Sequence, residues 1–175
     1  MAKQYTKDEL SEWLQGKAAK ATPGAARSKL FNATQREEPD VFTGNLYLFK
    51  YDPKGKNYLP KYDKYQLTIV LERYQDSFLG LNLHYLSRGQ RGTLLYAIDK
   101  YKQTGSMRTG VYNGKGTTNW ESLMNRLDGT GLKSYPPICI KRYLYSHVRS
   151  RFILIKPDEY SIAVQLPLEE FVYKV

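Results

Sequence analysis

The sequence predicts an α+β domain: a small antiparallel sheet or partial barrel with flanking helices, preceded by an N-terminal helical arm. Three observations carry this expectation. Three aromatic and β-branched runs follow one another through short turns between residues 46 and 85, and such connections suit an antiparallel meander, not parallel crossovers. Helix-patterned segments come after these runs and do not alternate with them, which favours α+β over α/β order. The 175 residues are 41% hydrophobic and 25% charged, with no run of eighteen apolar residues and no signal-peptide pattern at the start. Those figures support one buried core and argue against disorder, a membrane span or secretion.

Residues 1–40 read as an N-terminal helix and extended arm, and residues 41–175 as the body. Thr6 and Glu9 form a capping-box pattern, and Leu10, Trp13 and Leu14 then share one helical face before Gly16. From Lys17 to Thr34 the chain turns to Ala, Lys, Gly, Ser and Pro, the composition of a linker. A helix this short is unstable alone. It is expected to dock through Leu10, Trp13 and Leu14, either on a partner or back on the body.

In the body, Leu46 to Tyr51 is a strand, and Asp52-Pro53-Lys54-Gly55-Lys56-Asn57 is a turn in which Asp opens, Pro presets φ and Gly gives freedom. Leu59 to Asp63 is an extended connection. Leu67 to Arg73 and Phe78 to Tyr85 are the second and third strands. A helix is expected from Arg88 to Lys102, lined by Leu94, Leu95, Ile98 and Tyr101. Residues 103–119 form a Gly/Thr/Ser/Asn loop, and Asn119 caps a short helix from Trp120 to Leu127. Ile138 to Tyr145 reads as helical or mixed, Arg151 to Ile155 as a fourth strand, and Pro157 to Gln165 as a closing helix.

The chemistry on offer is that of binding. The single cysteine, Cys139, excludes an internal disulfide and a thiol-built zinc site. His84 and His147 have no partner at ligand spacing, so no metal or other cofactor is expected. His84 ends a strand and reads as a packing histidine; His147, among Arg142, Arg149 and Arg151, suits either a phosphate neighbour or a structural hydrogen bond. The glycine-rich run from Gly105 to Thr117 does not have phosphate-loop spacing. Asp52 and Asp63 belong to turns, and Asp158 and Glu159 to a helix start, so no catalytic residue is assigned and no enzyme is expected.

The net charge of +10 is unevenly placed. Residues 1–40 carry seven Lys/Arg against six Asp/Glu, residues 41–155 eighteen against seven, and residues 156–175 two against four. A basic body attracts polyanions. Fifteen of the sixteen tyrosines lie in that body, many beside a cation, as in Lys50-Tyr51, Lys61-Tyr62, Arg73-Tyr74 and Arg142-Tyr143. Flat aromatic faces interleaved with cations suit frayed nucleic-acid ends, and equally a protein interface. The candidate DNA- or partner-binding residues are Lys141, Arg142, Tyr145, His147, Arg149 and Arg151, with Arg88, Arg91, Arg108 and Lys115.

Two blocks carry a family resemblance. Gly44 to Arg91 contains Gly44-Asn45-Leu46-Tyr47-Leu48-Phe49-Lys50-Tyr51-Asp52-Pro53-Lys54, Leu59-Pro60-Lys61-Tyr62-Asp63 and Gly80-Leu81-Asn82-Leu83-His84-Tyr85-Leu86; Tyr143 to Pro157 contains Ser146-His147-Val148-Arg149-Ser150-Arg151-Phe152. Together they resemble the DNA end protector proteins of T-even-type tailed bacteriophages. The resemblance implies a non-enzymatic virion protein, present in the host cytoplasm during assembly. It would bind the terminus of packaged double-stranded DNA, complete the head for tail joining, and shield the end from host exonuclease. The alternative is a purely structural neck, tail or baseplate component, whose basic surface and arm contact neighbouring virion proteins.

Overall fold

In the computed structural model, which describes residues 37–59, 61–63, 65–103, 139–164 and 171–173, the elements follow in this order. Strands β1 (Glu37–Glu38), β2 (Leu46–Lys50), β3 (Lys61–Asp63), β4 (Tyr65–Arg73) and β5 (Ser77–Asn82) precede helix α1 (Arg88–Gln103). Then come β6 (Ile140–Leu144), β7 (Phe152–Ile155), helix α2 (Tyr160–Ala163) and β8 (Phe171–Tyr173). The expected arm and its Leu10, Trp13 and Leu14, the loop with Arg108 and Lys115, and the helix at 120–127 lie outside the described residues.

Antiparallel pairing joins six strands in the order β1-β7-β2-β4-β5-β6, and β3 pairs with β8 in a separate two-stranded ribbon. The expected meander is β2-β4-β5. The segment expected to be helical or mixed is strand β6, with Tyr143 opposite Phe78. It lies at the sheet edge and buries only Tyr143 fully, so its sequence lacks the apolar alternation of a central strand. The third strand stops at Asn82, whose side-chain oxygen accepts the His84 N–H at 2.9 Å and bends the chain into a 3-10 turn. Helix α1 starts on a reciprocal cap: Gln90 N–H donates to the Ser87 hydroxyl and Ser87 N–H donates to the Gln90 side chain.

Alternation in the strands sends side chains to two buried faces. Leu46, Leu48, Leu67, Ile69, Leu81, Ile153 and Ile155 meet Leu94, Leu95 and Ile98 of α1 and Tyr160 and Ala163 near the C-terminal end. The opposite face is aromatic, built from Tyr47, Phe49, Phe78, Tyr143 and Phe152 with Val41 and Val70. Phe78 on β5 and Phe152 on β7 are separated by β4 and β2, a span of roughly 14 Å in a flat sheet. Their ring centroids are 5.9 Å apart. Phe49 on β2 and Tyr143 on β6, also three strands apart, are 5.3 Å apart. The sheet is therefore strongly curled, with the aromatic face concave and, among the described residues, its edges at β1 and β6.

Two local features permit the curl. Pairing of β4 with β5 slips between Val70 and Glu72, leaving Leu71 as a bulge that bends the strand. Gly80, on the concave side of β5, leaves room for its neighbours to close across it: a Cβ there would lie 2.2 Å from Thr68 Cγ2 and 3.2 Å from the Tyr143 ring. Gly44, at φ 84°, makes the tight entry to β2.

A buried strut then fixes β3 against the sheet. The Asp63 carboxylate accepts Tyr65 N–H at 3.0 Å with one oxygen and His84 Nδ1–H with the other. The Asp63 backbone carbonyl accepts the Gln66 side chain at 2.6 Å. Both Asp63 and His84 side chains are essentially inaccessible. The turn role expected for Asp63 is present, and the link to His84 adds a long-range role to it.

Two stability outcomes follow from this geometry. Gly80→Ala lowers unfolding free energy by about 1–3 kcal/mol through overpacking, read as a lower urea midpoint at unchanged slope. Asp63→Ala costs about 3 kcal/mol, because it orphans the buried His84 Nδ1–H and the Tyr65 N–H together. A destabilisation below about 0.5 kcal/mol in either variant, the range of an inconsequential surface substitution, would contradict the packing described.

Candidate nucleic-acid interface

Lys141 lies two residues before Tyr143 on β6 and shares its face. There the concave surface opens into a cleft of about 300 Å³ between β6 and the 51–63 segment. Tyr51, Tyr62, Tyr85, Gln66 and Lys141 line it. The Lys141 ammonium sits 4.7 Å from the centroid of the Tyr85 ring. Burial pushes the Lys141 ammonium below its usual range, and among the described residues no carboxylate pairs with it. Burial, followed by the nearby Asp63 carboxylate, pushes the Tyr85 hydroxyl up.

The floor of the cleft is polar and closed upon itself. Asn82 Nδ2–H donates to Gln66 Oε1 at 2.7 Å and to the Tyr143 hydroxyl at 3.2 Å. The Tyr143 hydroxyl donates to Gln66 Oε1 at 3.2 Å, and Thr68 Oγ1 donates to the Tyr143 hydroxyl at 3.4 Å. Gln66 Nε2 is spent on the Asp63 carbonyl. Tyr143 is fully buried, and burial drives its hydroxyl well above the usual phenol range.

Between β6 and β7, residues 145–151 cross the concave side as a cationic ribbon. Backbone hydrogen bonds hold it: Tyr145 N–H to Asp76 O at 3.0 Å, Asp52 N–H to His147 O at 3.0 Å, and Arg149 N–H to Lys50 O at 2.9 Å. Tyr51 and Val148 form an isolated bridge. His147 Nδ1–H donates to the Asp52 carbonyl at 2.8 Å, so this histidine is a structural tie between the ribbon and the turn at 52–57. Tyr145 is half-buried against Phe78.

The guanidinium groups are exposed and oriented. Arg142 donates to Ser77 Oγ at 2.9 Å and Asp76 Oδ1 at 3.0 Å, and lies 5.1 Å from the Tyr74 ring centroid. Arg149 donates to the Ser146 carbonyl at 2.7 Å and stands 3.8 Å from Asp52 Oδ2. The hydrogen bond from Lys56, with the charges of Lys56, Arg149 and His147, holds the Asp52 carboxyl below the usual carboxylate range. Arg151 is exposed just before β7. Lys141 thus faces the cleft, Arg142 lies on the other side of β6 beside Asp76 and Ser77, and Tyr145, His147, Arg149 and Arg151 follow one another along the ribbon. Arg88 and Arg91 sit instead on the first turn of α1, the helix covering the opposite face.

Two features of the site escape the sequence reading. Among the described side chains, Lys50, Arg73 and Arg142 do not stack on the tyrosine next to them in sequence, because adjacent strand residues point to opposite faces. Lys50 stacks across the sheet on its register partner Tyr65 at 5.6 Å, and Arg142 on Tyr74, while Tyr143 is core. Tyr85 and the Gln66–Asn82–Tyr143 network also go unnoticed, since their meeting depends on β4, β5 and β6 being brought together by the fold. Among the described residues, no group of three or more His, Cys, Asp or Glu is placed to hold a metal, and no helix is long and apolar enough to cross a membrane.

No curated protein and no solved structure gives a match. The family model described as "Phage T4 terminal DNA protecting protein" matches residues 26–175, which include every described strand and helix and the whole cationic ribbon. The chain belongs to that family of phage terminal DNA protecting proteins.

Proposed function

We propose that this protein binds the ends of packaged linear phage DNA and shields them from host exonuclease by occupying them. The observation that carries this reading is the cationic ribbon 145–151, folded over the concave face with Arg142 on the adjoining strand β6, in a chain whose family is named for DNA-end protection. Arg142, Arg149 and Arg151 are exposed, the first two oriented by hydrogen bonds, and exposed guanidiniums suit a phosphate backbone. Catalysis is not required, because an exonuclease and a bound protein compete for one terminus. Binding at the head opening would also leave the protein placed to complete the head and meet the neck, with the N-terminal arm docking through Leu10, Trp13 and Leu14.

Two outcomes test the reading. Purified protein protects a blunt linear duplex from a processive exonuclease at low salt, and the protection fades as salt rises, because phosphate binding releases counterions. Degradation at the rate of naked DNA would overturn it. Replacing Arg142, Arg149 and Arg151 together by alanine reduces the magnitude of the log Kd against log salt slope by about 2–3, since each phosphate left unneutralised removes about 0.9. An unchanged slope would remove the ribbon from the interface. Head completion has its own readout: the protein is found on filled heads, and its recovery in isolated tails lacking heads would place it with the tail.

A further inference from the structure

We infer that the cleft between β6 and the 51–63 segment is a receptor for one unstacked nucleotide at the DNA terminus, with its phosphate at Lys141 and its base against the tyrosine walls. The inference rests on the proposed end-binding reading and names the site at which an end, as distinct from duplex, is recognised. Its volume, about 300 Å³, is at the lower limit of small-ligand sites, roughly 300–1,000 Å³. That admits a single nucleotide and not a duplex.

The chemistry of the lining fits this occupant. Lys141 is a half-buried cation with no carboxylate partner among the described residues, so an anion entering the cleft gains a charge partner without displacing one. Tyr51, Tyr62 and Tyr85 supply aromatic surface in the same cleft. Tyr51 is edge-on to Phe49 and Tyr143, and Tyr85 carries the Lys141 ammonium, so the half-buried Tyr62 ring is the one set to meet a base that has left its stack. Arg149 and Arg151 lie on the ribbon that follows β6, so the phosphates that follow a captured terminal nucleotide have exposed cations to meet.

The floor determines selectivity. Gln66 Oε1 accepts from both Asn82 and Tyr143, and Gln66 Nε2 donates to the Asp63 carbonyl. These amides are already committed to one another, so base edges find little there to read. The cleft therefore accepts any terminal base.

The experiment compares the full chain on three duplexes of equal length: closed by hairpins at both ends, blunt, and carrying a one-nucleotide overhang. The overhang binds tightest, because its nucleotide needs no unpairing. The closed duplex binds weakest, by about tenfold, the scale of one base–aromatic stack. Tyr62→Ala brings the overhang down to the closed-duplex affinity and leaves the closed duplex unchanged, and Lys141→Gln lowers the overhang affinity by more than it lowers that of the closed duplex. Tyr62→Phe keeps the preference, which separates stacking from loss of fold. The four terminal bases differ by less than about threefold.

Variants that keep the preference for open ends, or that weaken all three duplexes equally, overturn the inference. A tenfold preference for one terminal base overturns the account of the floor. A deoxynucleoside monophosphate that binds at micromolar concentration without competing with the overhang would make the cleft a site for free nucleotides. If the wild-type chain fails to protect blunt ends, the underlying reading fails; if it protects them while the variants retain end preference, only the cleft assignment fails.

Discussion

The concave face depends on the hydroxyl of Tyr143. Its ring is fully buried, stacked on Phe78 at 5.2 Å and edge-on to Phe49. A buried phenol without partners would cost several times the net value of a hydrogen bond. Gln66, Asn82 and Thr68 meet it from β4 and β5. One residue therefore joins the aromatic core to the polar floor and holds edge strand β6 in the curl. Gly80 and the Leu71 bulge are the complementary concessions: one removes the side chain that would block Tyr143, the other bends the strand beneath it. Lys141 inherits its position from this arrangement, being two residues along the same face.

Electrostatics acts on a surface that the core has already shaped. Arg142 is tied to Asp76 and Ser77, and Arg149 to a backbone carbonyl near Asp52. Such exposed pairs add little to stability. They restrict where the guanidiniums point, which lowers the entropy lost when a phosphate backbone is met. His147 contributes by joining the ribbon to the 52–57 turn. Its place among arginines in the sequence allowed a phosphate neighbour or a structural bond, and in the fold its Nδ1–H is committed to the Asp52 carbonyl.

What was legible in the sequence follows from how local each signal is. The meander, α1 and the helical turn after Pro157 are written in contiguous patterns, and their boundaries in the structure lie within a few residues of the expectation. Strand β6 was hidden because an edge strand that puts one cation on each face, Lys141 and Arg142, has no buried alternation. Strand β3 was hidden because its pairing partner, Phe171–Tyr173, is at the far end of the chain. The cationic cluster was visible because Lys141 to Arg151 are close in sequence. The cleft was not, since Tyr62, Gln66, Tyr85 and Lys141 meet only when the sheet curls. Tyrosine count misled in one respect: Tyr47, Tyr96, Tyr143 and Tyr160 are core residues.

A charged ribbon and an end-reading cleft solve different parts of the same binding problem. Phosphates repeat along every duplex, so a purely cationic surface has no reason to favour a terminus over the interior. On a long linear genome the interior offers overwhelmingly more sites, and mass action would draw such a protein away from the two ends. Localisation then requires an interaction that only an end can make, or neighbouring virion proteins that hold the chain in place. A terminal nucleotide can leave its stack at lower cost than an internal one, since it has a single stacking neighbour and no continuing strand to distort. A tyrosine-walled cleft beside Lys141 would convert that difference into end preference, while the ribbon supplies affinity that is blind to sequence. The two contributions have distinct signatures: the ribbon governs salt dependence, and the cleft governs discrimination between open and closed ends.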